Sequence, residues 1–234
     1  TQSVEEFFRL KNRLRIMKKL FPLLLVTILV SCHNSAQVKI EQNAVINTKP
    51  AEVPLKNGKA RAYFSSGCFW CVEAIYESVN GVDEVINGYS GGHTNNPTYE
   101  ASNTGRTGHA ESVEVIYDPK TVSFATLVDV YFGSQNPLQV NGQGPDNGSQ
   151  YRSIIFYQNK EQKQIIESKK AALQKKLNAE VAAEIYPFQK FWKAENYHQN
   201  YVQLHPENRY VQGVSIPRLN RFKSKFPELL KDKH

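Results

Sequence analysis

The chain has 234 residues, 40% of them hydrophobic, which is enough for one well-buried core once the N-terminus is set aside. Its formal charge of +7 is concentrated at the ends: residues 1–31 carry six Lys/Arg against two Glu, and residues 214–234 carry six Lys/Arg against Glu228 and Asp232, so each end holds +4 and the middle sums to −1. A near-neutral middle excludes a sequence-level case for nucleic acid; either end suits an anionic membrane surface, and the basic C-terminal tail 214–234 reads as a solvated charge run.

The first element is a targeting segment. Met17, the sole methionine, is followed by Lys18-Lys19, an apolar run from Leu20 to Val30, and Ser31-Cys32. That is the layout of a signal peptide over 17–31, too short to span a bilayer comfortably. Leu29-Val30-Ser31-Cys32 resembles the lipobox of bacterial lipoproteins, which implies cleavage before Cys32 and lipid attachment to its sulfur. A free cysteine after an ordinary signal peptide, or a buried helix, are the plainer alternatives. Residues 1–16 precede the sole methionine and fit no functional plan, so they are read as a non-native upstream extension. Residues 32–57 then comprise the lipid-anchor cysteine and a polar flexible tether. The expected location is the cell envelope, facing the periplasm or extracytoplasmic side.

The domain is placed at 58–213. Arg61 to Ser66 is a β-prone run that stops at Gly67, after which Val72, Ile75, Tyr76 and Val79 follow helical spacing until Asn80-Gly81. Val82 to Tyr89 and Glu111 to Tyr117 read as strands, the latter broken by Asp118-Pro119. Phe124, Leu127, Val128 and Tyr131 share a helical face behind Ser123 as N-cap. Gly133 to Gln150 is a long polar loop, of the kind usually tied to function. Arg152 to Tyr157 is a further strand, Gln162 to Leu177 a helix with Ile166, Leu173 and Leu177 facing inward, and Val181 to Ile185 one more strand. The order is that of a split β-α-β unit, so the expected fold is α/β (α+β): a two-layer sandwich with a mixed sheet and a ferredoxin-like core. No nucleotide-binding glycine pattern occurs, and a monomer without cofactor is expected.

Cys68 joins a strand end to a helical first turn, where unpaired backbone N–H groups favour a thiolate and lower a thiol below its usual value of about 8.5. Cys71 lies one turn on, with a Cα separation of roughly 5 to 6 Å that a disulfide can bridge. A structural disulfide competes with this redox reading, although so small a loop gains little from cross-linking. Zinc is weaker, because His93, His109, His198 and His205 show no spacing that completes a ligand set, and no metal is expected.

Gly67-Cys68-Phe69-Trp70 followed by Val72-Glu73 resembles the active-site signature of A-type peptide methionine sulfoxide reductases. The resemblance continues in order through Gly88-Tyr89-Ser90-Gly91-Gly92, Asn96-Pro97-Thr98-Tyr99, Thr107-Gly108-His109-Ala110-Glu111, Tyr117-Asp118-Pro119, Gly144-Pro145-Asp146, Gln150-Tyr151-Arg152-Ser153 and Ala194-Glu195-Asn196-Tyr197-His198-Gln199. A thioredoxin-like thiol-disulfide oxidoreductase also uses Cys-x-x-Cys at a helix start, but explains none of the other blocks.

The resemblance implies that Cys68 attacks the sulfur of methionine sulfoxide, free or in proteins, with Glu111 as the acid. It implies that Tyr99 and Tyr151 hold the oxygen, that Asp146 organises the pocket, and that Phe69 and Trp70 form the apolar wall for the S-methyl group. His198, with Asn200 and Tyr201, looks like the family's late helix and supports the site. Attack leaves a sulfenic acid that a second thiol must condense with. Many relatives have glycine at the position of Cys71 and resolving cysteines near the C-terminus; this C-terminus has none. The expected cycle therefore forms a Cys68–Cys71 disulfide, reduced by a thioredoxin-like partner, with preference for the S epimer and a role in repair of oxidised proteins.

Overall fold

Alternation along three neighbouring strands decides which side of the sheet each residue meets. In β1 (Ala60–Ser65), Ala62 and Phe64 join the larger buried cluster while Tyr63 joins the smaller one on the other side. In β3 (Ala110–Tyr117), Val113, Val115 and Tyr117 face the larger cluster, and Glu111 shares their parity. In β6 (Ile154–Tyr157), Ile155 faces it and Ile154 and Phe156 turn away. The computed structural model describes residues 48–232. The expected upstream extension 1–16, signal peptide 17–31, lipid-anchor Cys32 and tether up to residue 47 fall outside the described residues.

With β2 (Val82–Ser90), β7 (Glu184–Pro187) and β8 (Trp192–Lys193), these strands form a six-stranded sheet of order β7-β6-β1-β3-β2-β8. β3 lies antiparallel between β1 and β2, and β6 is antiparallel to β1, which is the split β-α-β arrangement. β7 runs parallel to β6 and makes the sheet mixed.

Helices α1 (Phe69–Glu77), α3 (Phe124–Gly133), α4 (Lys160–Leu177) and α6 (Ile216–Lys225) contribute Val72, Leu127, Ile166 and Phe222 to the larger cluster. The two layers are held by side chains such as Phe64, fully buried and stacked 5.0 Å from Tyr76. Each such side chain is worth about 2 kcal/mol. Two short helices, α2 (Tyr99–Asn103) and α5 (Tyr201–Leu204), lie in the connections. Side-chain caps start the longer helices: Ser123 Oγ accepts from Thr126 N at 3.0 Å, and Asn159 Oδ1 accepts from Gln162 N at 3.0 Å.

Several expectations need correction. Leu177 is 39% exposed, not inward, because the chain reverses at left-handed Asn178 and leaves the last helical side chain at the end of the layer. The strand expected at Val181 to Ile185 is shifted to Glu184–Pro187. Val181 and Ala183 are buried, while Ala182 N donates to Pro137 O at 2.8 Å and so holds a neighbouring loop instead of extending the ladder. The stretch Gly133 to Gln150 contains a two-residue hairpin, β4 (Gly142–Gln143) and β5 (Asp146–Asn147), and leads into a 3₁₀ turn at Ser149–Tyr151. It is ordered by amides: Gln143 Oε1 accepts from Asn136 N at 3.0 Å, and its Nε2 donates to Asn136 O at 2.7 Å.

The described parts of both expected appendages pack on the domain. The end of the tether lies on the sheet's second face, where Ala51 N donates to Phe188 O at 2.7 Å, Val53 N donates to Gln158 Oε1 at 2.8 Å, and Tyr63 stacks 3.8 Å from Phe188. The basic tail is a helix rather than a solvated run: Arg218 and Phe222 of α6 are buried, and Asn80 N donates to Leu229 O at 2.8 Å. Its lysines face water while its apolar stripe packs, a distinction that net charge does not carry.

Candidate active site

The β1–α1 connection makes an elbow that needs glycine. Gly67 has φ +71°, and a Cβ there would lie 2.5 Å from Gln143 Cβ. Its N–H donates to Tyr151 O at 3.1 Å, which ties the elbow to the loop carrying that tyrosine. Cys68 is the N-cap of α1, and its side chain makes no capping hydrogen bond. The free N–H of Phe69 donates instead to Glu111 Oε2 at 2.9 Å.

Glu111 is 3% exposed, and burial pushes its carboxyl up to about 8, against the lowering effect of the Phe69 N–H. Nearby Asp146 adds to the rise. The group is therefore a neutral acid at pH 7, because β3 is an interior strand and Glu111 shares the face on which Val113 and Val115 are buried. Tyr99, Tyr151 and Asp146 converge on the same space: Glu111, Asp146 and Cys68 each help hold the Tyr99 and Tyr151 phenols in their protonated form, after burial as the main cause. Asp146 accepts from Tyr210 Oη at 2.5 Å.

An aromatic wall flanks Cys68. Phe69 is buried with its ring 4.9 Å from that of His198. Trp70 stacks on Tyr201 at 3.7 Å and donates from Nε1 to His198 Nδ1 at 3.2 Å. Accepting at Nδ1 leaves the proton of neutral His198 on Nε2, and burial lowers its pKa so that the neutral form holds. Glu73, also buried, accepts from Asn200 N at 2.8 Å and is pushed up to about 7 by burial. It anchors the turn that carries Tyr201.

Cys71 faces the segment from Tyr210 to Ser215, where the expected domain meets the expected basic tail. Its Sγ hydrogen-bonds with Ser215 Oγ at 3.1 Å and lies 4.0 Å from Tyr210 Oη. Tyr210 and Ser215 are five residues apart, which in an α-helix places them about 140° apart. A π-helical turn at Val211–Ser215 widens the helix and brings both to one thiol. Arg218 lies behind, donating from Nη1 to Ser66 O at 2.9 Å, from Nη2 to Ser66 Oγ at 2.8 Å and from Nε to Ser134 O at 3.0 Å.

Both cysteines are buried free thiols. The lowering expected at Cys68 from its place on the helix does not prevail: burial, the contact with Cys71 and the nearby Glu111 carboxyl push it up. Cys71 is held down by the hydrogen bond from Cys68, then by Arg218 and Ser215. Of the two sulfurs, Cys71 is therefore the more readily ionised and Cys68 the one that holds its proton more firmly.

All eight domain residues singled out from the sequence as catalytic or substrate-binding, Cys68, Cys71, Phe69, Trp70, Tyr99, Glu111, Asp146 and Tyr151, line this one region or its walls, and His198 braces it. Tyr210, Ser215, Arg218, Glu73 and Gln143 were missed as site residues. The sequence held no signal for the first three, since only a π-turn aligns Tyr210 with Ser215 and only packing buries Arg218. Among the described residues no group of three His, Cys, Asp or Glu side chains clusters as a metal site.

Paired thiols beside a protonated carboxylic acid, at the mouth of a ferredoxin-like sheet, are the equipment of a thiol-based reductase. Residues 60–230 match the family described as peptide methionine sulfoxide reductase. The enzyme of that name from Pasteurella multocida is 44% identical over 171 residues, 73% of this chain and 98% of the relative. The one from Saccharolobus solfataricus is 42% identical over 170 residues, 73% and 96% of the two chains. Among solved structures, methionine sulfoxide reductase A of Corynebacterium diphtheriae superposes with a TM-score of 0.58 at 33% identity, covering 69% of this chain and 84% of that one. Mxr1 from Saccharomyces cerevisiae in reduced form gives 0.62 at 29% identity, covering 70% and 94%. The chain belongs to the peptide methionine sulfoxide reductase family.

Proposed function

We propose that this chain reduces methionine S-sulfoxide, free or in proteins, through Cys68, and closes its cycle with a Cys68–Cys71 disulfide. The observation that carries the reading is the Glu111 carboxyl: neutral at pH 7, buried, and hydrogen-bonded to the residue next to Cys68. A sulfoxide oxygen leaves only when protonated, so a neutral acid beside a thiol suits that bond and not a simple thiol-disulfide exchange.

In the first step Cys68 passes its proton to Cys71 and attacks the substrate sulfur. The S–O bond breaks as Glu111 protonates the oxygen, which ends on Cys68 as sulfenic acid while methionine leaves. The substrate sulfur is reduced by two electrons and Cys68 is oxidised by two. Phe69 and Trp70 flank the S-methyl group, and Tyr99 and Tyr151 donate to the oxygen. Cys71 then attacks Cys68, and its proton leaves with the hydroxyl as water. A thioredoxin-like dithiol returns both cysteines to thiols. The experiment is a sulfoxide assay of Cys68→Ser and Cys71→Ser against both epimers. Cys68→Ser is expected to be inactive, and Cys71→Ser to make one methionine per enzyme and stop. Full multiple turnover by Cys71→Ser with a thioredoxin-like donor would sink the disulfide step.

The export reading is supported by the Lys18-Lys19, Leu20 to Val30 and Cys32 pattern. We propose a cell-envelope lipoprotein anchored at Cys32, so that the reductase acts on oxidised proteins outside the cytoplasm. Mass spectrometry of a membrane fraction tests this, and an unmodified Cys32 in the mature protein would end it.

A further inference from the structure

We propose that the cavity behind Cys71 admits a small anionic thiol, which reduces the Cys68–Cys71 disulfide by attack on Cys71. The proposal rests on the disulfide cycle above and adds a second class of electron donor to it.

The cavity has a volume of about 750 Å³ and is lined by Cys71 on one side and by α6 on another. That volume is in the usual range for small-molecule sites. Arg218, Arg221 and Lys225 all line it. They stand at i, i+3 and i+7, hence on one helical face. Against these three cations the lining holds one carboxylate, Asp146, which is engaged by the Tyr210 hydroxyl. The rest of the wall is largely amide and glycine, as at Gln135 and Gln143. Arg221 and Lys225 are exposed and form the rim, whereas Cys71 is 1% exposed. The cavity therefore offers a sulfur that attacks Cys71 a way in, and its volume suits a small molecule.

The chemistry closes with two equivalents of thiol. A thiolate RS⁻ attacks Cys71 Sγ along the S–S bond, forming a Cys71 mixed disulfide and expelling Cys68 as thiolate at the N-terminus of α1, where it takes up a proton. A second thiolate attacks the mixed disulfide, releasing RSSR and Cys71. The enzyme gains two electrons and the two thiols lose them. Carboxylates on R meet the Arg221 and Lys225 rim while the sulfur reaches inward.

The test uses the full chain, oxidised by one turnover with methionine sulfoxide. It is reduced with mercaptosuccinate, mercaptoethanol or cysteamine at equal thiolate concentration, with acid quench and mass analysis. Mercaptosuccinate is expected to act at least ten-fold faster than cysteamine, with mercaptoethanol between, and the trapped adduct is expected on Cys71. Combined Arg221→Glu and Lys225→Glu is expected to bring that ratio to one or below. The matched control on α4, Lys175→Glu with Lys176→Glu, keeps it. Equal rates for the three thiols, an adduct on Cys68, or a ratio that falls equally in both double variants overturns the proposal while leaving the cycle standing. If no Cys68–Cys71 disulfide forms in the first place, the cycle fails and the proposal falls with it.

Discussion

The backbone N–H of Phe69 and the carboxyl of Glu111, 2.9 Å apart, join the first turn of the helix carrying Cys68 to an interior strand of the sheet. The bond stabilises the carboxylate, yet burial outweighs it and Glu111 is pushed up to about 8. Turnover is expected to fall as pH rises through about 8, when the acid is lost. Glu111→Gln, which stays neutral, is expected to lower kcat by about 10²- to 10⁴-fold and to flatten that alkaline limb. An unchanged limb in Glu111→Gln would assign it to another group.

Glu73 supplies a test on stability. Its pKa is about 7 in the folded chain against 4.5 as the reference, so between those values the native state holds a proton that the unfolded state has released. Stability is full below about pH 4.5 and declines as pH rises through 7, by at most about 3 kcal/mol from this group. Glu111 extends the decline towards pH 8. Glu73→Gln is expected to remove the lower part of the slope in urea denaturation, and Glu73→Ala to cost about 2 kcal/mol at pH 5 by stranding the Asn200 N–H.

Gly67→Ala forces a side chain onto a φ of +71° and against Gln143 Cβ. A loss of about 2 kcal/mol is expected. Because Gln143 pairs with Asp146 in the β4–β5 hairpin, single-turnover methionine formation should slow as well. Wild-type stability and rate in this variant would show that the elbow has room to shift.

Arg218 holds Ser66 O, Ser66 Oγ and Ser134 O, and its charge favours the Cys71 thiolate. Arg218→Met is expected to destabilise the chain by about 3 kcal/mol. It is also expected to move the pH profile of Cys71 alkylation upward, read by mass spectrometry of the Cys71 peptide on Cys68→Ser so that its coupled neighbour is removed. A destabilised protein with an unmoved profile would make Arg218 a structural residue only.

Much of the fold was legible because period and punctuation are local properties. Val113, Val115 and Tyr117 announce a strand face, and Ser123 announces a helix start, whatever the rest of the chain does. Misreadings fell where a distant segment decides the outcome. Val181 and Ala183 are buried in the expected strand, yet Ala182 bonds to Pro137 and the parallel pairing begins only at Glu184. The basic residues after 213 looked solvated because charge counts do not show that Phe222 and Arg218 turn inward.

The feature that began as a run of letters, Gly67-Cys68-Phe69-Trp70-Cys71, divides in the same way. By itself the sequence determined the residue types, the helical turn between the two sulfurs, and the family resemblance, since these depend on covalent order and short-range geometry. Only the tertiary structure decided the protonation of the site. Burial of Glu111 and Cys68 raises both, while Cys71 is held down first by its neighbour Cys68 and then by Arg218 and Ser215, which α6 and the π-turn bring in. Desolvation and long-range charge act through space, so the residues that set them lie more than 40 positions away in the chain at Glu111, and farther still at Arg218.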